Sequence, residues 1–158
     1  MQPKDLVFLQ SLAKTVNSWT EIGGYVGKSL MAVAQVLPEG ALLQVVDKFL
    51  NHWRVENQSI FTTVDTILTH RPDLNVVLVR SDGIECSKFI APTEVIFLDG
   101  CHSYDQVSKE IAVHKDRCEH LLGHDYDETK LGVVRAVDEY VKHSKRKLTV
   151  SGTVWMVK

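Results

Sequence analysis

Apolar residues recur along this chain with two periods, and the switches between them outline an alternation of helices and strands. Over residues 4–17, Leu6, Leu9, Leu12, Ala13 and Val16 share one helical face, which predicts a helix covering an edge of a sheet. A short apolar run, Ser18 to Ile22, reads as the first strand. Lys28 to Leu37 follows with Leu30, Val33, Ala34 and Leu37 inward, and stops at Pro38-Glu39-Gly40. Ala41 to Val46 is nearly all apolar, as a strand buried on both faces should be. From Asn57, the positions Ile60, Phe61, Val64, Ile67 and Leu68 repeat at helical spacing until Arg71-Pro72 ends the helix. Strand three is Asn75 to Val79, a weaker helix spans Ile84 to Ile90, and strand four is Glu94 to Leu98. Tyr104, Val107, Ile111 and Cys118 mark a further helix, and His120 to Gly123 reads as strand five. Val133, Ala136, Val137, Tyr140 and Val141 form the last amphipathic face, and Lys147 to Lys158 alternates around Ser151-Gly152 as a terminal hairpin.

Five strand–helix alternations predict an α/β fold: a mostly parallel sheet with right-handed crossovers, helices on both faces, and an antiparallel hairpin strand at one edge. No repeat, linker or low-complexity stretch interrupts residues 1–158, so a single domain is expected. Composition narrows the partners. Eighteen basic and twenty acidic residues leave a formal charge of −2, so no global field draws the chain to nucleic acid. The basic run Lys142 to Lys147 suits a solvated helix end. Cys86, Cys101 and Cys118 are odd in number and lack CxxC spacing, which predicts reduced thiols and a cytoplasmic location. Residues 1–20 carry charges within an amphipathic pattern, so neither a signal peptide nor a membrane span is expected.

The chemistry gathers first around EIGGYVGKS, residues 21–29, a glycine-bearing turn between strand and helix. Glycine reaches positive φ without steric cost and lets a ligand approach the backbone closely, and the next helix presents free N–H groups. The spacing is acidic-x-Gly-x-x-x-Gly rather than GxGxxG, which disfavours a nicotinamide-dependent oxidoreductase. A carboxylate at Glu21 would repel a diphosphate but can pair with the ammonium of an amino-acid-like cofactor. Asp47, ending the second strand, can accept hydrogen bonds from both hydroxyls of a ribose. The pattern resembles the S-adenosylmethionine-dependent methyltransferases of the Rossmann-like, doubly wound class.

In a parallel sheet of this kind ligands lie beyond the carboxyl ends of the strands. Those ends carry Glu21 to Gly27, Asp47, Ser81 with Asp82, Asp99 with His102 and Tyr104, and His124-Asp125-Tyr126. The segments VIFLDGCHSYDQVSKEI and GHDYDETKLGVVRAVDEY resemble small class I methyltransferases whose fourth strand ends in Asp-Gly-x-His-x-Tyr and whose fifth ends in His-Asp-Tyr, relatives of sugar O-methyltransferases. With the glycine loop and Asp47, the resemblance runs from about residue 18 onward. It implies a cofactor site of Glu21, Gly23, Gly24, Tyr25, Gly27, Ser29, Asp47, Lys48, Ser81, Asp82 and Asp99. It also implies a divalent cation on Asp99, His124 and Asp125. A histidine stands at position 124 where oxygen ligands are usual, which leaves Mg²⁺, Mn²⁺ and no metal open. His102, at the position of the base in sugar O-methyltransferases, and Asp99 are the implied catalytic pair. Independently, imidazole titrates near neutral pH and an alcohol needs a base.

Tyr25 and Tyr126 are candidate pocket walls, and Trp53 follows Asp47 closely enough to stack on a base. His52, His70, His114, His120 and His143 read as surface or capping residues, Trp155 as core and Cys101 as inert. The expected activity is O-methylation of a small hydroxylated, sugar-like acceptor. A cofactor-binding protein without catalysis is the alternative. The sequence leaves the oligomeric state open, with a homodimer as one candidate, since a second copy of the chain could complete so open a rim.

Overall fold

The computed structural model describes residues 1–48 and 60–158. His52, Trp53 and the expected helix start at Asn57 lie outside the described residues. In chain order the elements are α1 (Pro3–Ala13), β1 (Ser18–Ile22), α2 (Lys28–Ala34), β2 (Leu42–Asp47), α3 (Ile60–His70), β3 (Asn75–Arg80), a 3₁₀ turn (Glu85–Lys88), β4 (Val95–Leu98), α4 (Tyr104–His114), β5 (His120–Gly123), α5 (Leu131–Ser144), β6 (Leu148–Ser151) and β7 (Val154–Val157). The described strands form one sheet in the order β3-β2-β1-β4-β5-β7-β6. β3, β2, β1, β4 and β5 pair in parallel, whereas β7 runs antiparallel to both β5 and β6.

The period-2 pattern decides which helices cover which face. Trp19, Leu43, Val45, Phe97 and Leu122 pack with Leu9 and Ala13 of α1, Leu30 and Val33 of α2, and Ile60 and Ile67 of α3. Ile22, Val46, Ile96, Leu98 and Leu121 pack with Val107 and Ile111 of α4 and with Val133 and Val137 of α5. Trp155 lies in this second layer, as expected of a core residue. The central strands are buried on both faces, whereas edge strand β3 leaves Val77 exposed. Gln44 is the polar exception inside β2. Its amide bonds Thr20 Oγ1 and both backbone groups of Ala91, each at 2.9 Å, so the buried group is satisfied.

Four expectations change. The helix after the glycine loop ends at Ala34, where Gln35–Leu37 turn away before Pro38. The expected helix over 84–90 is a single 3₁₀ turn between Gly83 and Pro92, too short to propagate. Cys118 lies beyond α4, which ends at His114. The terminal hairpin supplies two strands rather than one, because β7 pairs with β5 and leaves β6 at the edge. Among the described residues no helix is long and apolar enough to cross a membrane.

Candidate active site

Strand order reverses between β1 and β4, whose connections leave on opposite sides of the sheet and open a crevice at their carboxyl ends. A cleft of about 790 Å³ lies there, bounded by the loops after β1, β2, β3, β4 and β5. That volume falls within the usual range for a small-molecule site.

The glycine loop is folded tightly into the crevice. Gly23 has φ +95°, and a Cβ there would lie 2.5 Å from both Asp99 O and Gly100 Cα, so the loop after β1 touches the loop after β4. Gly27, at φ +77°, precedes α2 against Thr63, leaving no room for a side chain. Between them Tyr25 adopts φ +45°, is 56% exposed at the cleft mouth, and donates its N–H to Asp47 Oδ2 at 2.9 Å. Asp47 therefore anchors the loop while facing the cleft. Gly24, Ser29, Lys48, Ser81 and Asp82 also line it. Asp82 is committed in part to the backbone: its Oδ1 accepts from the N–H groups of Ile84 and Glu85 at 2.8 Å each, which hold its carboxyl below the usual range.

Glu21 lies one layer back. In register with Val45 and Phe97, it points into the layer beneath α2 and is fully buried, and it is Ser29 that reaches the cleft from its side. Glu21 Oε1 accepts from Ser29 Oγ at 2.7 Å, and Oε2 is buried without a hydrogen-bond partner. Burial pushes this carboxyl up to about 8; the Ser29 hydrogen bond opposes the rise, and the charges of Asp99 and Asp47 add to it. Glu21 is thus neutral at pH 7 without a cation nearby.

At the other end of the cleft Asp99, His124 and Asp125 converge, with one ligand atom from each within 4.8 Å of the others. His124 Nδ1 is 3.0 Å from Asp125 Oδ1 and 3.3 Å from Asp99 Oδ1. Burial disfavours imidazolium, but the hydrogen bond to Asp99 and the charges of Asp99 and Asp125 outweigh it and raise His124 above its ordinary value. Asp99 is also raised, because burial exceeds the help His124 gives. Asp125, at φ +60°, uses its second oxygen on His102, whose Nδ1 lies 2.8 Å from Oδ2. His102 itself is 38% exposed and lines the cleft.

The crevice brings together every expected cofactor, cation and base residue except Glu21, which meets it through Ser29. Tyr126 is not among the lining residues: its hydroxyl donates to Asp138 at 2.6 Å, and burial followed by that carboxylate raises it to about 12. His114 is not at the surface. It is fully buried beneath the loop after β3, donating from Nε2 to Gly83 O at 2.6 Å. His70 and His143 do bond backbone carbonyls four residues earlier in their helices.

Sequence reasoning missed Asp5, Gln106, Glu110 and Thr153. Gln106 and Glu110, on α4, line the cleft beside Gly83 and bond each other at 2.8 Å. Asp5 is fully buried on α1, with Thr153 N–H on Oδ1 at 3.0 Å and Gln2 N–H on Oδ2 at 2.6 Å. Burial opposes its ionisation, but these donors prevail and hold Asp5 below the usual carboxylate range. The signal was present: Asp5, Leu9 and Ala13 stand at i, i+4 and i+8, a carboxylate in line with the buried stripe.

No protein-family model and no curated protein matches the chain. Solved structures do. An O-methyltransferase from Bacillus cereus in complex with SAH aligns over 99% of this chain and 81% of its own, with TM-score 0.72 and 15% identity. The fold is that of the class I methyltransferases. An O-methyltransferase of tomaymycin synthesis from Streptomyces achromogenes, in complex with SAM, aligns over 97% of this chain and 78% of its own, at TM-score 0.67 and 13% identity. A precorrin-6y C5,15-methyltransferase from Geobacter metallireducens aligns over 96% and 85%, at TM-score 0.69 and 12% identity. At such identities the likeness concerns the backbone fold.

Proposed function

We propose that the protein is an S-adenosylmethionine-dependent methyltransferase that transfers a methyl group to a hydroxyl of a small, sugar-like acceptor. The observation that carries this reading is the convergence, on one cleft at the β1/β4 switch point, of Asp47 with the glycine loop at one end and the His102–Asp125 pair at the other.

The residues present fit such a cofactor. Asp47 offers carboxylate oxygens at the end of β2, suited to a ribose diol. The partnerless Glu21 Oε2 behind Ser29 is an acceptor beside the glycine loop, where an ammonium would favour its ionisation. When bound, S-adenosylmethionine supplies an electrophilic methyl on a sulfonium. What remains for the chain is to place the acceptor oxygen in line and remove its proton. His102 Nδ1–H donates to Asp125, which leaves the Nε2 lone pair to accept the hydroxyl proton. Asp125 balances the resulting imidazolium. His102 Nε2 would thus hold the proton given up by the acceptor hydroxyl, with the cleft keeping that oxygen facing the methyl group the cofactor would supply.

Asp99, His124 and Asp125 are suited in donor type and spacing to a divalent cation, Mg²⁺ or Mn²⁺. Such an ion would lower the hydroxyl's pKa and fix its oxygen. Asp125 can serve both roles, since one oxygen faces His124 and the other His102. The test is release of the demethylated cofactor over a panel of sugars and sugar-bearing metabolites, followed by His102→Ala on any acceptor found. Loss of about 10²- to 10⁴-fold in kcat at unchanged cofactor affinity is expected of a general base. Unchanged turnover would reject His102 in that role. Cofactor binding without transfer to any acceptor, metal present, would favour the non-catalytic alternative.

A further inference from the structure

Asp5 sits on the first helix, remote in sequence from the strand-end motifs, yet it closes against the back of His124. Thr153 Oγ1 lies 2.9 Å from His124 Nε2 and 3.3 Å from Asp5 Oδ2, and Asp5 Oδ2 is itself 3.5 Å from that nitrogen. The hydroxyl can donate only one proton. An ionised carboxylate accepts and never donates, so the arrangement that satisfies all three groups runs in one direction. Nε2–H donates to Thr153 Oγ1, and the Thr153 hydroxyl donates to Asp5. The opposite direction would turn the hydroxyl's oxygen lone pairs towards Asp5 Oδ2 at 3.3 Å, acceptor against acceptor.

Gly152, at φ +66°, makes room for this contact: a Cβ there would meet Asp5 Oδ1 at 2.0 Å. The β6–β7 turn is therefore shaped around the carboxylate. With its proton held on Nε2, the ring turns its Nδ1 toward Asp99 and Asp125. Without a cation that nitrogen can donate a proton to Asp99; a divalent cation held by the two carboxylates would take the place of that proton and use the nitrogen lone pair.

We infer that Asp5, through Thr153, is a positioning residue that fixes His124 with Nδ1 available as a ligand for a divalent cation. This rests on the cation reading of Asp99, His124 and Asp125 given above, and adds a carboxylate from α1 and a hydroxyl from the β6–β7 turn to it. Loss of an outer partner of a ligating histidine commonly costs about 10- to 100-fold in metal affinity.

The experiment is Mn²⁺ titration of the purified chain, followed by the electron paramagnetic resonance of free Mn²⁺, for the wild type, Asp5→Asn and Thr153→Val. Calorimetry with S-adenosylhomocysteine serves as the control. Asp5→Asn places an amide donor where the relay needs an acceptor. Thr153→Val removes the hydroxyl but keeps the backbone N–H on Asp5, so α1 stays docked even if the first variant fails to fold. Both variants are expected to bind Mn²⁺ roughly 10- to 100-fold more weakly with nucleoside affinity unchanged. Wild-type binding matched by the folded variants would overturn the role of Asp5 alone. A wild type that takes up no Mn²⁺ would remove the cation reading itself, and this inference with it.

Discussion

Glu21 offers a perturbation whose size follows from the fold. Its carboxyl is fully buried, holds one hydrogen bond from Ser29 and leaves Oε2 without a partner, so its value moves from an ordinary 4.5 to about 8. At 1.36 kcal/mol per unit, the displacement amounts to about 5 kcal/mol. Because the folded value exceeds the unfolded one, the folded state retains a proton that the unfolded chain has already lost. The destabilisation is absent below about 4.5, grows as pH climbs toward 8, and is constant beyond. Glu21→Gln removes the titration and substitutes a cost for an unpaired amide of about 1–3 kcal/mol that does not vary with pH. Urea unfolding of both proteins between pH 5 and pH 9 isolates the group, since the other titrating residues cancel in the difference. The variant is expected to gain on the wild type with rising pH, at up to about 1.4 kcal/mol per unit, and to overtake it on the alkaline side. Parallel profiles would refute the reasoning, by showing that Glu21 ionises in the folded state as readily as in water.

Other consequences follow from single contacts. Gly23→Ala forces a Cβ onto the backbone of Asp99 and Gly100 at positive φ, and neither neighbour is a flexible side chain, so a loss of at least about 1–3 kcal/mol is expected in thermal unfolding. Gly40→Ala, with nothing within 4 Å of its Cβ at φ +77°, isolates the left-handed strain and should cost about 1 kcal/mol. Equal losses in the two variants would show that contact with the loop after β4 contributes nothing.

The sheet was legible because its strands are short and their ends are marked. Ser18–Ile22 and His120–Gly123 fall where the apolar runs fall, and the other three parallel strands move by about a residue at their ends. Pairing of the hairpin was not legible, since alternation shows that two strands form but not which neighbour each takes. The rim was legible from the rule that ligands sit at the carboxyl ends of parallel strands, and the expected residues do meet there. What the sequence concealed is depth. Glu21 and Asp47 both lie at strand ends, yet Glu21 points into the layer under α2 and Asp47 into the cleft. Residues reaching the site from outside the strand-end loops were concealed for the same reason. Asp5 arrives from α1 and Glu110 from α4, and both are placed by tertiary packing rather than by any local motif.

Calorimetry against S-adenosylmethionine, S-adenosylhomocysteine and NAD, with the wild type and Asp47→Ala, tests the cofactor assignment most directly. The wild type should bind both sulfur nucleosides and ignore NAD, and the variant should bind them roughly 10- to 100-fold more weakly, as loss of a carboxylate hydrogen-bonded to a ribose requires. Binding of NAD in preference to either nucleoside, or equal affinities in wild type and variant, would contradict it.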